Sequence, residues 1–219
     1  MIIAIDGPAG VGKSTVAKLL AARLGYLYLD TGALYRAIAW KALQSRTRPT
    51  DHEQVTTLLP TTSIHMQFHH GAMQVLVDGI DVTGELRAPE VTAAASVVSA
   101  IPAVREWLLP IQRQIGRKGS VVAEGRDIGT KVFPEAPFKF FLEADADVRV
   151  ARRHRELVVA GRGGTVETTF RDLSDRDQRD RTRSVAPLVP AGDARLIDTS
   201  ALSPDQVVEQ MMAVVSIES

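Results

Sequence analysis

The sequence predicts an α/β fold in which a parallel five-stranded sheet carries helices on both faces. Three observations predict it. A short β-branched run, Met1–Asp6, leads through a glycine-rich turn into a helical pattern, and a second strand and helix follow directly. The sheet pattern returns after residue 120 with three more apolar runs. Between these parts, residues 64–77 alternate between apolar and polar side chains, which indicates a small antiparallel insert.

The core elements follow from local patterns. Over residues 14–24, Val16, Leu20 and Leu24 fall on one stripe of a helix, and Gly25 supplies its left-handed end. Ser203 is expected to cap the last helix. The other predicted strands are 26–29, 121–124, 138–143 and 195–198. The other predicted helices are 32–43, 88–100, 102–117, 147–160, 166–183 and 204–215.

The insert is predicted from two runs of period two. Apolar side chains alternate with polar ones over 64–68 and again over 73–77, and His70-Gly71 between them suits a tight turn. Residues 80–82 are a candidate third strand. We therefore expect an antiparallel insert at about 55–87 within a single domain that spans 1–219.

Composition excludes several classes of protein. Lys and Arg number 26, as do Asp and Glu, so no global basic field favours nucleic acid or a membrane surface. Cysteine is absent, which excludes disulfide scaffolds, cysteine-ligated zinc and thiol nucleophiles. The first apolar run stops at Asp6, too short for a secretory signal. We expect a cytoplasmic protein that binds neither nucleic acid nor membranes, with a monomer as the default state.

A phosphate-binding loop follows the first strand. Gly7-Pro8-Ala9-Gly10-Val11-Gly12-Lys13-Ser14 matches the G-x-x-x-x-G-K-[ST] pattern in full. In this pattern backbone N–H groups surround the β-phosphate, Lys13 reaches the β and γ oxygens, and the Ser14 hydroxyl can ligate Mg²⁺. The residues predicted to bind ATP are Gly7, Pro8, Ala9, Gly10, Val11, Gly12, Lys13, Ser14 and Thr15.

The rest of the sequence argues against two classes of nucleotide-binding protein. Asparagine is absent, so the guanine-reading N-K-x-D motif of a switch GTPase cannot be present. No long apolar strand ends in Asp-Glu or Asp-Asp, as a motor or transporter ATPase would usually show. A small kinase that transfers the γ-phosphoryl group to a second small molecule is the class that remains.

Arginines support this class. Ten of the twenty arginines fall within 149–183, against six acidic residues, although the whole chain is neutral. Arginine binds phosphate oxygens bidentately, which suits a transferring phosphoryl group. For any single arginine here, a solvated helix face with ion pairs one turn apart stays an open alternative. We predict a lid region at 149–183, with the glycine-rich stretch 161–164 as its flexible joint.

At five places the sequence resembles the bacterial cytidylate kinase family, P-loop proteins of the nucleoside monophosphate kinase type. The five motifs are, in chain order, Ile5–Ser14, Leu29–Arg36, Ala95-Ser96 with Arg105, Glu124–Thr130 and Asp177–Leu188. The resemblance implies an adenylate-kinase-like core, an enlarged acceptor-nucleotide-binding region at 30–117 that contains the insert, and a short helical lid.

The resemblance also implies roles for individual residues. Those that would bind CMP are Arg36, Arg126 and Arg183 at the phosphate, Ser96, Arg105 and Asp127 at the cytosine, Arg176 and Asp180 at the ribose, and Thr31. Those that would act in catalysis are Lys13, Arg126, Arg149 and Arg153, with Mg²⁺ on Ser14. A carboxylate such as Asp127 attracts the amino group of cytosine and repels the carbonyl of uracil, which would separate the two bases.

We therefore expect an enzyme that converts ATP and CMP into ADP and CDP with Mg²⁺, with dCMP as a second acceptor by resemblance. Two alternatives stay open. The acceptor could be UMP or shikimate on the same core, or the chain could be a nucleotide-gated binding protein in which hydrolysis is incidental.

Overall fold

The computed structural model describes residues 1–69, 72–117 and 119–217 of the 219-residue chain. Its internal contacts divide the chain into two compact units. The first comprises Met1–Leu29 and Gly119–Ser219, and the second comprises Asp30–Lys118.

The strands are β1 (Ile2–Asp6), β2 (Leu27–Asp30), β3 (Ile64–His69), β4 (Ala72–Val77), β5 (Ile80–Asp81), β6 (Val121–Gly125), β7 (Phe138–Glu143) and β8 (Arg195–Asp198). The helices are α1 (Lys13–Leu24), α2 (Gly32–Gln44), α3 (His52–Leu58), α4 (Pro89–Val98), α5 (Pro102–Gly116), α6 (Ala146–Val159), α7 (Val166–Thr182) and α8 (Pro204–Ile217).

The main sheet confirms the predicted fold class. Its strand order is β2-β6-β1-β7-β8, and β1 pairs in parallel with both β6 and β7, as β7 does with β8. The core of the first unit joins this sheet to α1 and α8, with Leu20, Phe140 and Met211 fully buried. Gly25 ends α1 with φ of 67°, and the Ser203 hydroxyl accepts the Gln206 N–H at the start of α8, as predicted.

The second unit contains the predicted antiparallel strands. β4 pairs with β3 and with β5, both antiparallel, while α2 packs against α4. The predicted His70-Gly71 turn lies outside the described residues. The structure adds α3 and a short 3₁₀ turn, Leu59–Thr61, ahead of the strands, which the alternation pattern did not predict. Asp51 starts α3, because its carboxylate accepts the Gln54 N–H at 3.0 Å.

Among the described residues, no single helix is long and apolar enough to cross a bilayer; α4 and α5 together meet that test of length and composition, but they are bent by 102°.

A third unpredicted element is the π-helical turn at Ile128–Val132, which Arg126 and Asp127 connect to the end of β6. π-helical turns are rare and are frequent at functional sites. This turn positions part of the candidate site.

Candidate active site

The phosphate loop joins β1 to α1 through glycines with positive φ. Gly10 has φ of 75° and Gly12 has φ of 98°. A Cβ on Gly7 would lie 2.4 Å from the carbonyl oxygen of Leu142, and one on Gly10 would lie 2.9 Å from that of Arg149. A side chain at either position would collide with backbone, so the loop requires glycine there and lies directly against the end of β7 and the start of α6.

Lys13 begins α1, and its side chain is buried in the loop. Its exposed fraction is 6%, and its Nζ donates to the Pro8 carbonyl at 2.6 Å. Burial lowers the pKa of the Lys13 ammonium well below its usual range, and nearby Arg126 lowers it further. A bound anion would counter both effects, so this buried cation is suited to a phosphate. Ser14 is half-buried and Thr15 is exposed.

An acid–arginine cluster, made of Arg126, Asp127, Asp180 and Arg183, lies in the same unit. Arg126 Nε donates to Asp180 Oδ2 at 2.8 Å. Arg183 forms ion pairs with Asp180 at 3.5 Å and with Asp127 at 3.6 Å. The cluster therefore joins the segment after β6 to the end of α7, which are more than fifty residues apart in sequence.

Electrostatics link this cluster to the phosphate loop. Burial raises the pKa of the Asp180 carboxyl, but Arg126, Arg176 and Arg183 outweigh burial and hold the pKa below its usual value. Arg126, Arg176 and Asp180 also act on the pKa of Lys13. Within the first unit, Lys13 is therefore close enough to Arg126, Arg176 and Asp180 for their charges to interact.

Arg149 lies at the loop itself. Its Nη1 donates to the Ala9 carbonyl at 3.1 Å and to Asp177 Oδ2 at 2.5 Å. Asp177 Oδ1 accepts the Ala9 N–H at 3.4 Å, so a carboxylate of the protein occupies a donor of the phosphate loop. Arg153 has a different neighbour, because its Nη1 pairs with Glu156 on the same helix at 3.1 Å.

In the second unit, Arg36 lies beside a buried acid. Its Nη2 donates to Asp30 Oδ2 at 2.6 Å, and Arg87 Nη2 approaches the same oxygen at 3.4 Å. Burial raises the pKa of the Asp30 carboxyl, but Arg36 and Arg87 together hold it below its usual value. Thr31 is buried next to Asp30 at the start of α2.

The predicted base-reading residues of the second unit are buried. Arg105 is 5% exposed, its Nη1 donates to the Ser99 carbonyl at 3.0 Å, and its guanidinium lies over the Tyr35 ring at 5.3 Å. Such stacking keeps a guanidinium flat and oriented. Ser96 is buried on α4.

Sequence reasoning missed three acids, of which Asp30 and Asp177 hold arginines and Asp6 holds a backbone turn. Asp30 lies inside the second family motif and Asp177 inside the fifth, so each was in a quoted segment without a role. Asp6 lies inside the first family motif but one residue before the phosphate-loop pattern, and it too was given no role. Its carboxylate accepts the N–H groups of Ile128 and Gly129, both at 2.8 Å. The signal for all three was an acid at a strand end or beside an arginine.

The donor set fits a magnesium ion carried by a nucleotide. Among the described residues, no group of three or more His, Asp or Glu side chains is placed to hold a metal. Mg²⁺ in kinases is bound mostly by phosphates and water with one or two protein oxygens, and Ser14 offers such an oxygen in the first turn of α1. Glu124 is buried on β6, where its carboxylate accepts the Tyr28 hydroxyl at 2.5 Å.

Comparisons with known proteins agree with these features. The family model for cytidylate kinase matches residues 3–217. The chain is 46% identical over 211 residues to a cytidylate kinase of Desulfitobacterium hafniense, covering 96% of this chain and 90% of that protein. It is 46% identical over 215 residues to a cytidylate kinase of Pelotomaculum thermopropionicum, covering 98% and 95%. A crystal structure of an uncharacterized protein from Eubacterium ventriosum has a similar fold, with a TM-score of 0.53, 16% identity and coverage of 99% and 98%.

Proposed function

The chain belongs to the cytidylate kinase family, and from this premise we propose that its phosphate loop and acid–arginine cluster transfer the γ-phosphoryl group of ATP to CMP. The enzyme is a CMP kinase, a phosphotransferase whose acceptor is itself a phosphate group. The observation that carries the residue assignment is that two acids of α7 link the sites: Asp177 accepts the N–H of Ala9 in the phosphate loop, and Asp180 accepts from Arg126. We propose dCMP as a second acceptor.

The chemistry at the transferred group requires alignment and charge rather than a base. The attacking atom is a phosphate oxygen of CMP, which is largely ionised at neutral pH because the second phosphate pKa is about 6. We assign Lys13 to the β and γ oxygens of ATP, and Arg126 and Arg149 to the charge that develops on the transferring phosphoryl group. Arg153 is proposed to join them only after α6 rearranges, since its partner in this structure is Glu156.

Ser14 is the residue proposed to hold Mg²⁺. When bound with ATP, the ion would neutralise phosphate charge and orient the β and γ groups. The N–H groups of the loop, from Gly7 to Thr15, would bind the same phosphates at the start of α1.

CMP recognition is assigned residue by residue on the family resemblance. Arg126 and Arg183 would bind the acceptor phosphate, Arg176 and Asp180 the ribose, and Asp127 the cytosine amino group. Arg36 would also bind phosphate, Ser96 and Arg105 would bind the base, and Thr31 is proposed to contact CMP as well. The acids that already hold these arginines, Asp30 and Asp180, support the assignment, because a guanidinium oriented before the substrate arrives loses less entropy on binding.

We also propose that 149–183 works as a lid over the phosphates. Residues 161–164 are exposed and Gly161 has φ of 67°, which suits a joint between α6 and α7. The start of α6 is held to the loop, because Arg149 bonds to Ala9 and Arg152 bonds to the carbonyls of Val11 and Thr199. The moving part would therefore begin after Arg152.

The proposed function is tested by coupled measurement of ADP release with CMP, dCMP, UMP, AMP, shikimate or no acceptor. For wild type we expect the highest kcat/KM with CMP. For Asp127→Asn we expect kcat/KM with CMP to fall about tenfold, because a hydrogen bond to a charged group contributes about 1.5–3 kcal/mol. The ratio of kcat/KM with CMP to kcat/KM with UMP should fall as well, because the amide of asparagine can donate a hydrogen bond to the uracil carbonyl.

Asp198→Asn is the matched control. Asp198 accepts hydrogen bonds from the backbone N–H and the hydroxyl of Ser200, and it lies on β8, outside the regions assigned to CMP and to the lid. It should leave the ratio unchanged. A CMP/UMP ratio that Asp127→Asn does not alter would contradict the role of Asp127. ADP release that needs no acceptor would identify a nucleotide-gated protein instead.

A further inference from the structure

Asp6 is a buried carboxylate with two backbone partners. It ends β1, directly before the phosphate loop, and is 4% exposed. Its Oδ1 accepts the Ile128 N–H and its Oδ2 accepts the Gly129 N–H, both at 2.8 Å. These are the first two residues of the π-helical turn that follows Asp127. One side chain thus fixes the backbone immediately after Arg126 and Asp127.

The environment of Asp6 costs the fold free energy. Burial raises the pKa of this carboxyl to about 6, although the two N–H groups lower it. Asp127 raises the pKa further and Lys13 lowers it. The aliphatic part of the Lys139 side chain lies beside Gly129, as Asp6 does, but the Lys139 ammonium forms its ion pair with Asp193 at 2.6 Å. Among the described residues, no cation forms an ion pair with Asp6. A neutral side chain would avoid this cost, so stability alone does not explain a carboxylate here.

The turn itself leaves little freedom. A Cβ on Gly129 would lie 3.1 Å from the Lys139 side chain and 3.5 Å from Asp6 Oδ2. The N–H of Lys131 bonds to the Asp127 carbonyl at 2.9 Å, and the N–H of Val132 bonds to the same oxygen at 3.1 Å. The backbone on the carboxyl side of Asp127 is therefore fixed by the turn, and the turn is held to β1 by Asp6.

We propose that Asp6 is a positioning residue for the acceptor nucleotide: through the Ile128 and Gly129 N–H groups, it holds Asp127 and Arg126 in the orientation that binds CMP. This rests on the proposed function, which assigns CMP to those two residues. The phosphate loop needs no such support from Asp6, because Gly7 and Gly10 already pack against the backbone of Leu142 and Arg149. Substitution of Asp6 should therefore weaken the binding of CMP and leave the binding of ATP nearly unchanged.

The test is steady-state kinetics of Asp6→Asn with each substrate varied in turn. An asparagine keeps the size but places an NH₂ group against one of the two N–H donors, so one hydrogen bond is lost. We expect KM for CMP to rise about tenfold, the effect of one hydrogen bond to a charged group, while KM for ATP changes less than about twofold. Asp198→Asn, which makes the same chemical change on β8, should change neither. Equal changes for both substrates, or no change, would overturn the proposal.

Two further readouts separate positioning from a general structural role. Because the pKa of Asp6 is about 6, the ratio of wild-type to Asp6→Asn kcat/KM for CMP should fall toward one between pH 7.5 and pH 5. The acceptor phosphate titrates in both enzymes, so it cancels in this ratio. Asp6→Asn combined with Asp127→Asn should also be less than additive on KM for CMP. A ratio independent of pH or full additivity would contradict the proposal.

The outcomes distinguish the two proposals. If Asp127→Asn leaves the kinetics with CMP unchanged, the proposed role of Asp127 fails. If Asp127→Asn acts and Asp6→Asn does not, only the positioning role fails. Should Asp6→Asn not fold, binding of cytidine to wild type decides, since cytidine has no group that titrates between pH 5 and 7.5. Its Kd should rise several-fold toward pH 5, and a constant Kd would overturn the proposal.

Discussion

The phosphate loop and the acid–arginine cluster both prepare the first unit for anions, but they do so in different ways. The loop uses backbone N–H groups, directed by glycines at Gly7, Gly10 and Gly12, and adds one cation, Lys13. The cluster uses side chains from two distant segments, each arginine held by at least one buried acid. One site is encoded in eight consecutive residues, whereas the other exists only in the folded chain.

This difference determines which substitutions should impair each site. The loop depends on its single lysine, because backbone donors cannot be deleted one at a time by substitution. In the cluster, charge is shared among four residues: Asp180 holds both arginines, and Arg183 pairs with both acids. Loss of Lys13 should therefore lower kcat sharply, whereas loss of an acid from the cluster should mainly weaken the binding of CMP.

The largest expected effect comes from Lys13→Ala. Loss of a cation that contacts the transferring phosphoryl group should lower kcat by at least a hundredfold, since such contacts contribute about 3 kcal/mol or more. The fold should be retained, because the substitution removes a buried cation whose pKa burial already depresses. Turnover with CMP and the unfolding temperature are the two measurements. Lys18→Ala on the exposed side of α1 is the control, and a Lys13→Ala enzyme as active as that control would refute the assignment.

A smaller and more selective effect is expected from Asp180→Ala. Arg126 and Arg183 would then face each other without the acid between them, so both should lose their orientation toward CMP. We expect KM for CMP to rise about tenfold or more, with little change in KM for ATP. The exposed Asp172→Ala on the same helix is the control. Equal weakening of both substrates would show that the cluster and the loop do not act as separate sites.

The smallest effect concerns the lid and is measured by hydrogen exchange. Amides at about 155–168 should exchange quickly in the free enzyme, because the stretch is largely exposed and lies beyond the bonds of Arg152. Exchange should slow modestly with ATP or CMP alone and most with a bisubstrate analogue. Amides of β1 provide the slow reference. Protection of 155–168 without any ligand would mean that the arginines form a fixed network.

The features that could be predicted from the sequence are those that residues close together in sequence determine. The phosphate loop, the five core strands and Gly25 were predictable because neighbours in sequence determine them. The acids were not, since Asp177 bonds to Ala9 at a separation of 168 residues and Asp6 to Gly129 at 123. Helix α3 was missed because seven residues carry too little periodicity to outweigh the alternating pattern beyond them.

The strand order also governs when the enzyme acquires its site during synthesis. β1 is central in the sheet, yet Ile2 aligns with Val121 and Ile3 with Phe138, so its partners leave the ribosome more than a hundred residues later. The second unit is continuous in sequence and can close its contacts first. The phosphate loop is thus translated more than a hundred residues before the strands that flank β1, and we expect no kinase activity from a nascent chain until β7 has emerged and paired.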